Sequence, residues 1–181
     1  SQTPDFVITK GINGSNTSWW VHHEGLTSGY QLELNNSSAQ TNYSSVFNGT
    51  APSSTVVTLG NGDPNRSGNT QLLYCFHSVD GYQKFGSYSG TGSSLEITVG
   101  FAPSWVMIKR YASSGDRWLI ADKVRGGLTN NDSFVDASSN LSERDMNATN
   151  GVTFGTNSFT INTTDGALNN SAGSYIYWAI A

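Results

Sequence analysis

The sequence predicts an all-β protein, an antiparallel β-sandwich of jelly-roll-like type built from two tandem pseudo-symmetric repeats. Short apolar or alternating segments recur at intervals of roughly ten residues with Gly, Asn, Asp and Ser between them, which is typical of sandwiches. No segment carries a sustained helical stripe, and residues 137–149 hold at most one turn, with Ser142 as its cap. The third observation is that the strand pattern occurs twice.

The repeat is clearest where residues 4–10, PDFVITK, match residues 103–109, PSWVMIK. The same offset of 99 residues separates Trp19 from Trp118. Later in the chain the offset grows as loops change length, which is how a duplicated fold diverges. Two copies of one structural unit are therefore expected.

The domain organisation follows from this duplication and from the chain length. We expect a single β-domain over residues 1–181, with repeat one at about 1–80 and repeat two at about 81–181. Matched residues of the two repeats should occupy equivalent buried positions, namely the pairs Phe6/Trp105, Trp19/Trp118 and Leu59/Ile161.

Individual strands follow from local pattern. The runs 6–8 and 18–23 predict strands separated by a Gly- and Asn-rich turn. Residues 30–34 alternate apolar with polar, which predicts one buried and one wet face. After a polar excursion, residues 55–59 predict a further strand, and residues 95–99 alternate again before the second copy.

Two segments, 70–76 and 175–181, are nearly continuous in apolar residues. Such runs predict interior strands with both faces covered. Cys75 lies in the first of them, so we expect a buried and unreactive thiol. Because it is the sole cysteine, an internal disulfide is excluded.

Composition excludes several classes of function. With a net charge of −4 and nine basic residues, the chain has no patch dense enough to neutralise a phosphate backbone, so no nucleic-acid partner is expected. No segment is long and apolar enough for a membrane helix, so no membrane insertion is expected. Secretory signal features are also not recognised in these residues.

Candidate chemical sites are few. His22, His23 and Glu24 suggest a metal, but neighbours on a strand point to opposite faces and cannot easily share one ion. The loops at 61–65 and 130–132 offer oxygens for Ca²⁺, although turn formation explains them more simply. A nucleophile motif and a matched acid pair are not found. We expect no enzyme activity, catalytic residue, metal or cofactor.

Aromatic side chains are the remaining candidates for recognition. Trp19 and Trp20 are adjacent, and the match of Trp19 to Trp118 assigns it to the core, which leaves Trp20 on the surface. Trp20, together with the loop-proximal residues Tyr82, Tyr88 and Tyr111, is therefore a candidate for glycan or subunit contact.

One family is resembled by three longer segments of the sequence, residues 74–90, 100–110 and 175–179. They look like the duplicated β-domain of tail-fibre-like and other virion structural proteins of marine and cyanobacterial tailed phages, often found beside concanavalin-like lectin domains. Residues 22–26 and 47–52 fit as well. The resemblance implies a virion-surface location and a structural or adhesion role, without catalytic residues.

Three functions agree with these observations. The first is a non-enzymatic virion structural protein, a tail-fibre or capsid-surface decoration domain that forms homo-oligomers or binds other virion proteins and contacts the host surface. The alternatives are a carbohydrate-binding module that recognises a host glycan and a subunit of an extracellular filament.

The two copies differ in one respect. Residues 85–99 precede Pro103 in the second copy, whereas only residues 1–3 precede Pro4 in the first. A strand equivalent to residues 95–99 is therefore missing from the first copy. We expect an open sheet edge at that place, near the N-terminus, covered by another copy, by preceding residues of a longer polypeptide or by a different virion protein.

Overall fold

The computed structural model describes residues 2–13, 17–42, 44–125, 133–145 and 151–181. It contains thirteen strands, two single-turn α-helices and one 3₁₀ turn at Asp63–Asn65. The strands are β1 (Phe6–Gly11), β2 (Trp20–His23), β3 (Leu32–Glu33), β4 (Gln71–Phe76), β5 (Gln83–Ser89), β6 (Leu95–Thr98), β7 (Trp105–Arg110), β8 (Leu119–Asp122), β9 (Ser133–Asp136), β10 (Arg144–Asp145), β11 (Val152–Phe154), β12 (Ser158–Ile161) and β13 (Ser174–Ile180), and the helices are α1 (Ser44–Phe47) and α2 (Gly166–Asn169).

These strands form three antiparallel sheets. The first sheet has the order β3-β2-β1-β4, the central sheet the order β10-β9-β8-β7-β13-β5, and the third sheet the order β11-β12-β6. The predicted all-β class and antiparallel sandwich are confirmed.

The central sheet is covered on both faces. On one face its Met107 and Ile176 share a core cluster with Phe6 and Ile8 of the first sheet. On the other face its Val106 shares a second cluster with residues of the third sheet. Alternation along β7 thus sends successive side chains into different cores. The predicted interior position of the closing strand β13 is confirmed, because β7 and β5 flank it.

The β1–β2 pair of the first sheet and the β7–β8 pair of the central sheet have equivalent registers. Phe6 lies opposite His23, and Trp105 lies opposite Asp122, so both partners are displaced by the same 99 residues. In the same way β1 pairs with β4 on its other side, as β7 pairs with β13. The duplication itself stays a prediction, which a superposition of the two halves would test.

Some predicted features differ in the structure. Residues 55–59 form no strand, although Val57 and Leu59 still pack over the first sheet. The helical turns are at α1 and α2, while the described part of 137–149 contains β10 instead. In each matched pair one member is buried (Phe6, Trp118 and Ile161) and the other is partly exposed (Trp105, Trp19 and Leu59). The expectation that both members are buried is wrong.

Candidate functional site

The outer side of β4 is the most exposed apolar feature of the described strands. β4 pairs with β1 alone, and among the described residues no strand lies beyond it. The prediction of an interior strand was therefore wrong, and Cys75 is exposed. An apolar run shows that a segment has the composition of a strand. Which strands lie beside that segment is decided by the tertiary fold.

Hydrogen-bond direction identifies which backbone groups of β4 are free to pair. The Ile12 N–H donates to the Thr70 oxygen at 3.0 Å, one pair beyond the β1–β4 ladder. Because bonded pairs alternate in antiparallel sheets, every second residue from Thr70 onward bonds β1. The backbone N–H and C=O groups of Gln71, Leu73 and Cys75 therefore point away from β1, at the sheet edge.

The edge is apolar and uncharged. Leu73 is 39% exposed and Tyr74 is 44% exposed, and the six residues of β4 include no charged side chain and no proline. Natural sheet edges are protected by charges, prolines, bulges or covering loops. Neither a charge nor a proline protects this one.

The same strand is anchored from the core side. The Phe76 ring lies 6.2 Å from the Phe6 ring and 5.0 Å from the Trp178 ring, so it joins the first sheet to the central sheet. Tyr74 stacks on Phe76 at 6.4 Å. These contacts hold the edge in an extended conformation before any partner arrives, which reduces the entropy cost of binding.

The central sheet shows how an equivalent edge is covered. β13 corresponds in register to β4, and the outer side of β13 pairs over seven residues with β5. The prediction of a missing strand was thus right about an open edge but misplaced it. Residues 95–99 were named as the missing equivalent, but β6 within them pairs with β12 in the third sheet. Among the described residues it is β5 that has no counterpart beside β4.

Trp20 is not a surface residue. It is 8% exposed and packs with Val7, Val46 and Phe47 on the outer face of the first sheet. Trp19 and Trp20 do point to opposite faces of the sheet, as predicted. The prediction that Trp20 is exposed is wrong, because α1 and its neighbouring segment cover the face that was expected to contact solvent.

The three candidate tyrosines differ in exposure. Tyr82 is 57% exposed in the turn after β4, as expected of a contact residue. Tyr88 is half-buried in β5, stacks on Tyr175 at 4.8 Å and donates its hydroxyl to the Leu168 oxygen at 2.7 Å. Tyr111 is half-buried against the core. The four candidates therefore do not all lie at the surface, and only Tyr82 is largely exposed.

The two adjacent histidines face opposite sides of the first sheet. The His22 ring lies 6.0 Å from Phe47, and the His23 ring lies 5.8 Å from Phe6 in the inner core. Burial lowers the pKa of each imidazole to about 4. Within the described residues, no group of three or more His, Cys, Asp or Glu side chains is arranged to hold a metal ion. The loop at 130–132 lies outside those residues.

In the part of the chain that the structure describes, no helix has the length and apolar character needed to cross a bilayer.

Comparison with known proteins gives one match. No curated protein and no solved structure is similar to the chain. One family model, described as a domain of unknown function (DUF7483), matches residues 1–181. The match spans all of this sequence, and the chain therefore belongs to the DUF7483 family.

Proposed function

We propose that this chain is a non-enzymatic structural protein of a phage virion, a tail-fibre or capsid-surface domain, which assembles with a second copy through the edge of β4. The sequence resemblance supports the virion setting. The observation that carries the assembly role is the open, uncharged edge at Gln71–Phe76. Assembly on a virion surface requires a contact of this kind between copies. The same protein can make a glycan contact as well.

A second copy fits this edge because the strand is compatible with itself. An antiparallel pair related by a two-fold axis places β4 beside β4 and joins two four-stranded sheets into one. Charged strands oppose self-pairing, since like charges can meet across the axis. β4 has none, and its outward groups at Gln71, Leu73 and Cys75 can bond the same groups of the partner.

The opposite edge of the first sheet is less suitable. β3 has two residues, and next to it Gln31 forms a bridge with Thr41. That bridge occupies backbone groups that an incoming strand would need. β4 is therefore the longer and more accessible edge of this sheet.

Sedimentation velocity with proline at Leu73 tests the contact. Leu73→Pro removes an outward N–H without removing a bond to β1, so the fold should persist while dimerisation is lost. Leu73→Ala keeps the backbone donor and should still dimerise, only more weakly. Circular dichroism verifies folding in both. A wild-type monomer at every concentration, or a folded Leu73→Pro variant that still dimerises, contradicts the proposal.

Electron microscopy tests the setting. Antibodies against the chain should label intact virions made from a genome that encodes it, and unlabelled virions would contradict a surface role. Long open-ended polymers of the purified chain would instead favour the extracellular filament subunit.

A further inference from the structure

A cleft on the first sheet, which we call the β1–β2 cleft, lies at the end where β1 begins and β2 ends. It has a volume of about 290 Å³ and is lined by residues that include Asp5, His22, Glu24, Tyr30, Phe47 and Thr50. This is near the lower limit of small-molecule pockets, roughly 300–1,000 Å³. The cleft therefore fits a small ligand or one unit of a longer one.

Its acidic pair comes from cross-strand neighbours. The Glu24 N–H donates to the Asp5 main-chain oxygen at 2.8 Å, so the two carboxylates start from adjacent strands. Asp5 is held in place because its Oδ2 accepts a bond from the Ser78 N–H at 2.6 Å. Burial raises the pKa of Glu24, and the Asp5 carboxylate raises it further. The acid pair, which sequence inspection did not find, supplies hydrogen-bond acceptors.

Further polar residues, Thr3, Thr27, Ser28 and Thr50, line the cleft beside His22. A hydroxyl can donate and accept, but that of Thr50 already donates to the Asn48 main-chain oxygen at 3.1 Å. With a pKa of about 4, His22 is neutral at physiological pH and offers one donor and one acceptor. Among the described lining residues there is no lysine or arginine. An anionic ligand would therefore meet two carboxylates and no cationic lining residue, although the Lys84 charge, outside the lining, acts on Glu24 and lowers its pKa.

The apolar part of the cleft suits a ligand with an apolar face. Its lining residues include Tyr30 and Phe47, which are aromatic, and Leu26, Pro4 and Pro52, which are aliphatic. A pyranose ring has C–H groups on one face and hydroxyls at its rim, so aromatic and acidic side chains together match both.

The walls of the cleft are preorganised. Gln40 fixes Thr27 with two bonds: its Oε1 accepts from the Thr27 N–H at 3.0 Å, and its Nε2 donates to Thr27 Oγ1 at 2.7 Å. Tyr30 follows in a turn, and its N–H donates to the Thr27 main-chain oxygen at 2.9 Å. The Thr50 N–H donates to the Phe47 oxygen at 3.0 Å on the other wall. A ligand therefore meets loops that are already shaped.

We propose that the β1–β2 cleft binds a neutral saccharide unit, with Tyr30 contacting its apolar face and Asp5 and Glu24 accepting hydrogen bonds from its hydroxyls. This site goes beyond assembly at β4 and does not depend on it. It also differs from the surface formed by Tyr82. A Leu73→Pro monomer should bind the same saccharide as the wild type.

A glycan array carrying neutral, acidic and amino sugars tests the class of ligand. The wild type should retain neutral oligosaccharides, and titration of the best of them should shift amide signals of Gly29 and Gly49 in a ¹H–¹⁵N spectrum. This measurement needs no variant. Binding confined to acidic or cationic sugars, or shifts confined to other regions, would overturn the proposal.

Matched variants then locate the site. Tyr30→Ala and Glu24→Gln should each weaken binding about tenfold or more, as expected when a contact of roughly 1.4 kcal/mol is removed. Glu143→Gln changes an exposed glutamate that does not line the cleft, and should leave affinity unchanged. Tyr82→Ala tests the competing contact residue that the sequence predicted. Loss of binding in Tyr82→Ala, with Tyr30→Ala unaffected, would place the site elsewhere. Binding of Ca²⁺ or a simple ammonium ion in place of a sugar would also overturn the proposal.

Discussion

Lys109 folds back on its own loop and donates to the Asp116 main-chain oxygen at 2.9 Å, and Lys10 donates to the Thr17 oxygen in the same way. In both cases the acceptor lies seven residues after the lysine. The two lysines are those that the sequence repeat aligns. A lysine near the end of each aligned strand, β1 and β7, thus bonds the loop that follows it, although Lys109 is fully buried and Lys10 only partly.

Replacing Trp118 should destabilise the protein far more than replacing its sequence partner. Trp118 is 1% exposed, and its Nε1 donates to the Glu33 oxygen at 2.9 Å, which ties the central sheet to the first. Trp118→Ala should lower the free energy of unfolding by about 3–5 kcal/mol. Trp19→Ala, at a partly exposed position, should cost about 1 kcal/mol. Urea unfolding measures both, and equal losses would contradict the difference in burial.

Stability should rise with pH between about 4 and 6.5. His23 is buried, its Nδ1 accepts from the Gly25 N–H at 2.9 Å, and burial lowers the pKa of His23 to about 4, below the ordinary 6.5. In that interval the unfolded chain binds the proton more readily than the native chain, so acidification favours unfolding. The stabilisation is fully present above 6.5 and is lost as pH falls towards 4, by about 3 kcal/mol for such a group.

The variant that tests this pH dependence is His23→Gln. His23→Gln should flatten that dependence, while His22, whose pKa is also about 4, maintains the remainder. An unchanged dependence in His23→Gln would show that this imidazole titrates normally.

Cys75 should react with a thiol reagent in the native protein, contrary to the expectation from sequence. Its side chain is exposed on the edge strand, while partial burial raises the pKa of the thiol above its ordinary value. The thiolate is the reactive form, so labelling should accelerate as pH rises towards and beyond 9. Cys75→Ser gives the blank. Labelling seen only after denaturation would mean that the edge is covered.

The sequence predicted strands well where their pattern is local. β1, β2 and β13 were recognisable because β-branched and aromatic runs are bounded by turn residues. The sequence did not reveal which strands lie beside β4, because β4 and β13 have similar apolar composition but different neighbouring strands. Residues 55–59 also have strand composition, yet no strand of the described chain pairs with them. Leu59 is aligned with Ile161 in β12, and β12 does have a partner strand, β6. A segment forms a strand only when a second segment of the chain pairs with it.

The candidate site was harder to predict than the fold. For Trp20 the alternation rule gave the correct pair of faces, and only knowledge of what covers the outer face could decide its exposure. The acidic pair was missed because Asp5 and Glu24 are far apart in sequence. The register of β1 with β2 brings them together. A predicted register for that strand pair would have been a usable signal, since it places the strand ends side by side.

The position of β13 has a consequence during protein synthesis. β5 and β7 emerge from the ribosome well before β13, which lies between them and pairs with both. Until residue 180 has been made and released, the central sheet cannot close, and the facing edges of β5 and β7 remain available to other chains. Contacts so distant in sequence also slow folding. A nascent chain of this kind is therefore most exposed to misassembly just before its last strand is complete.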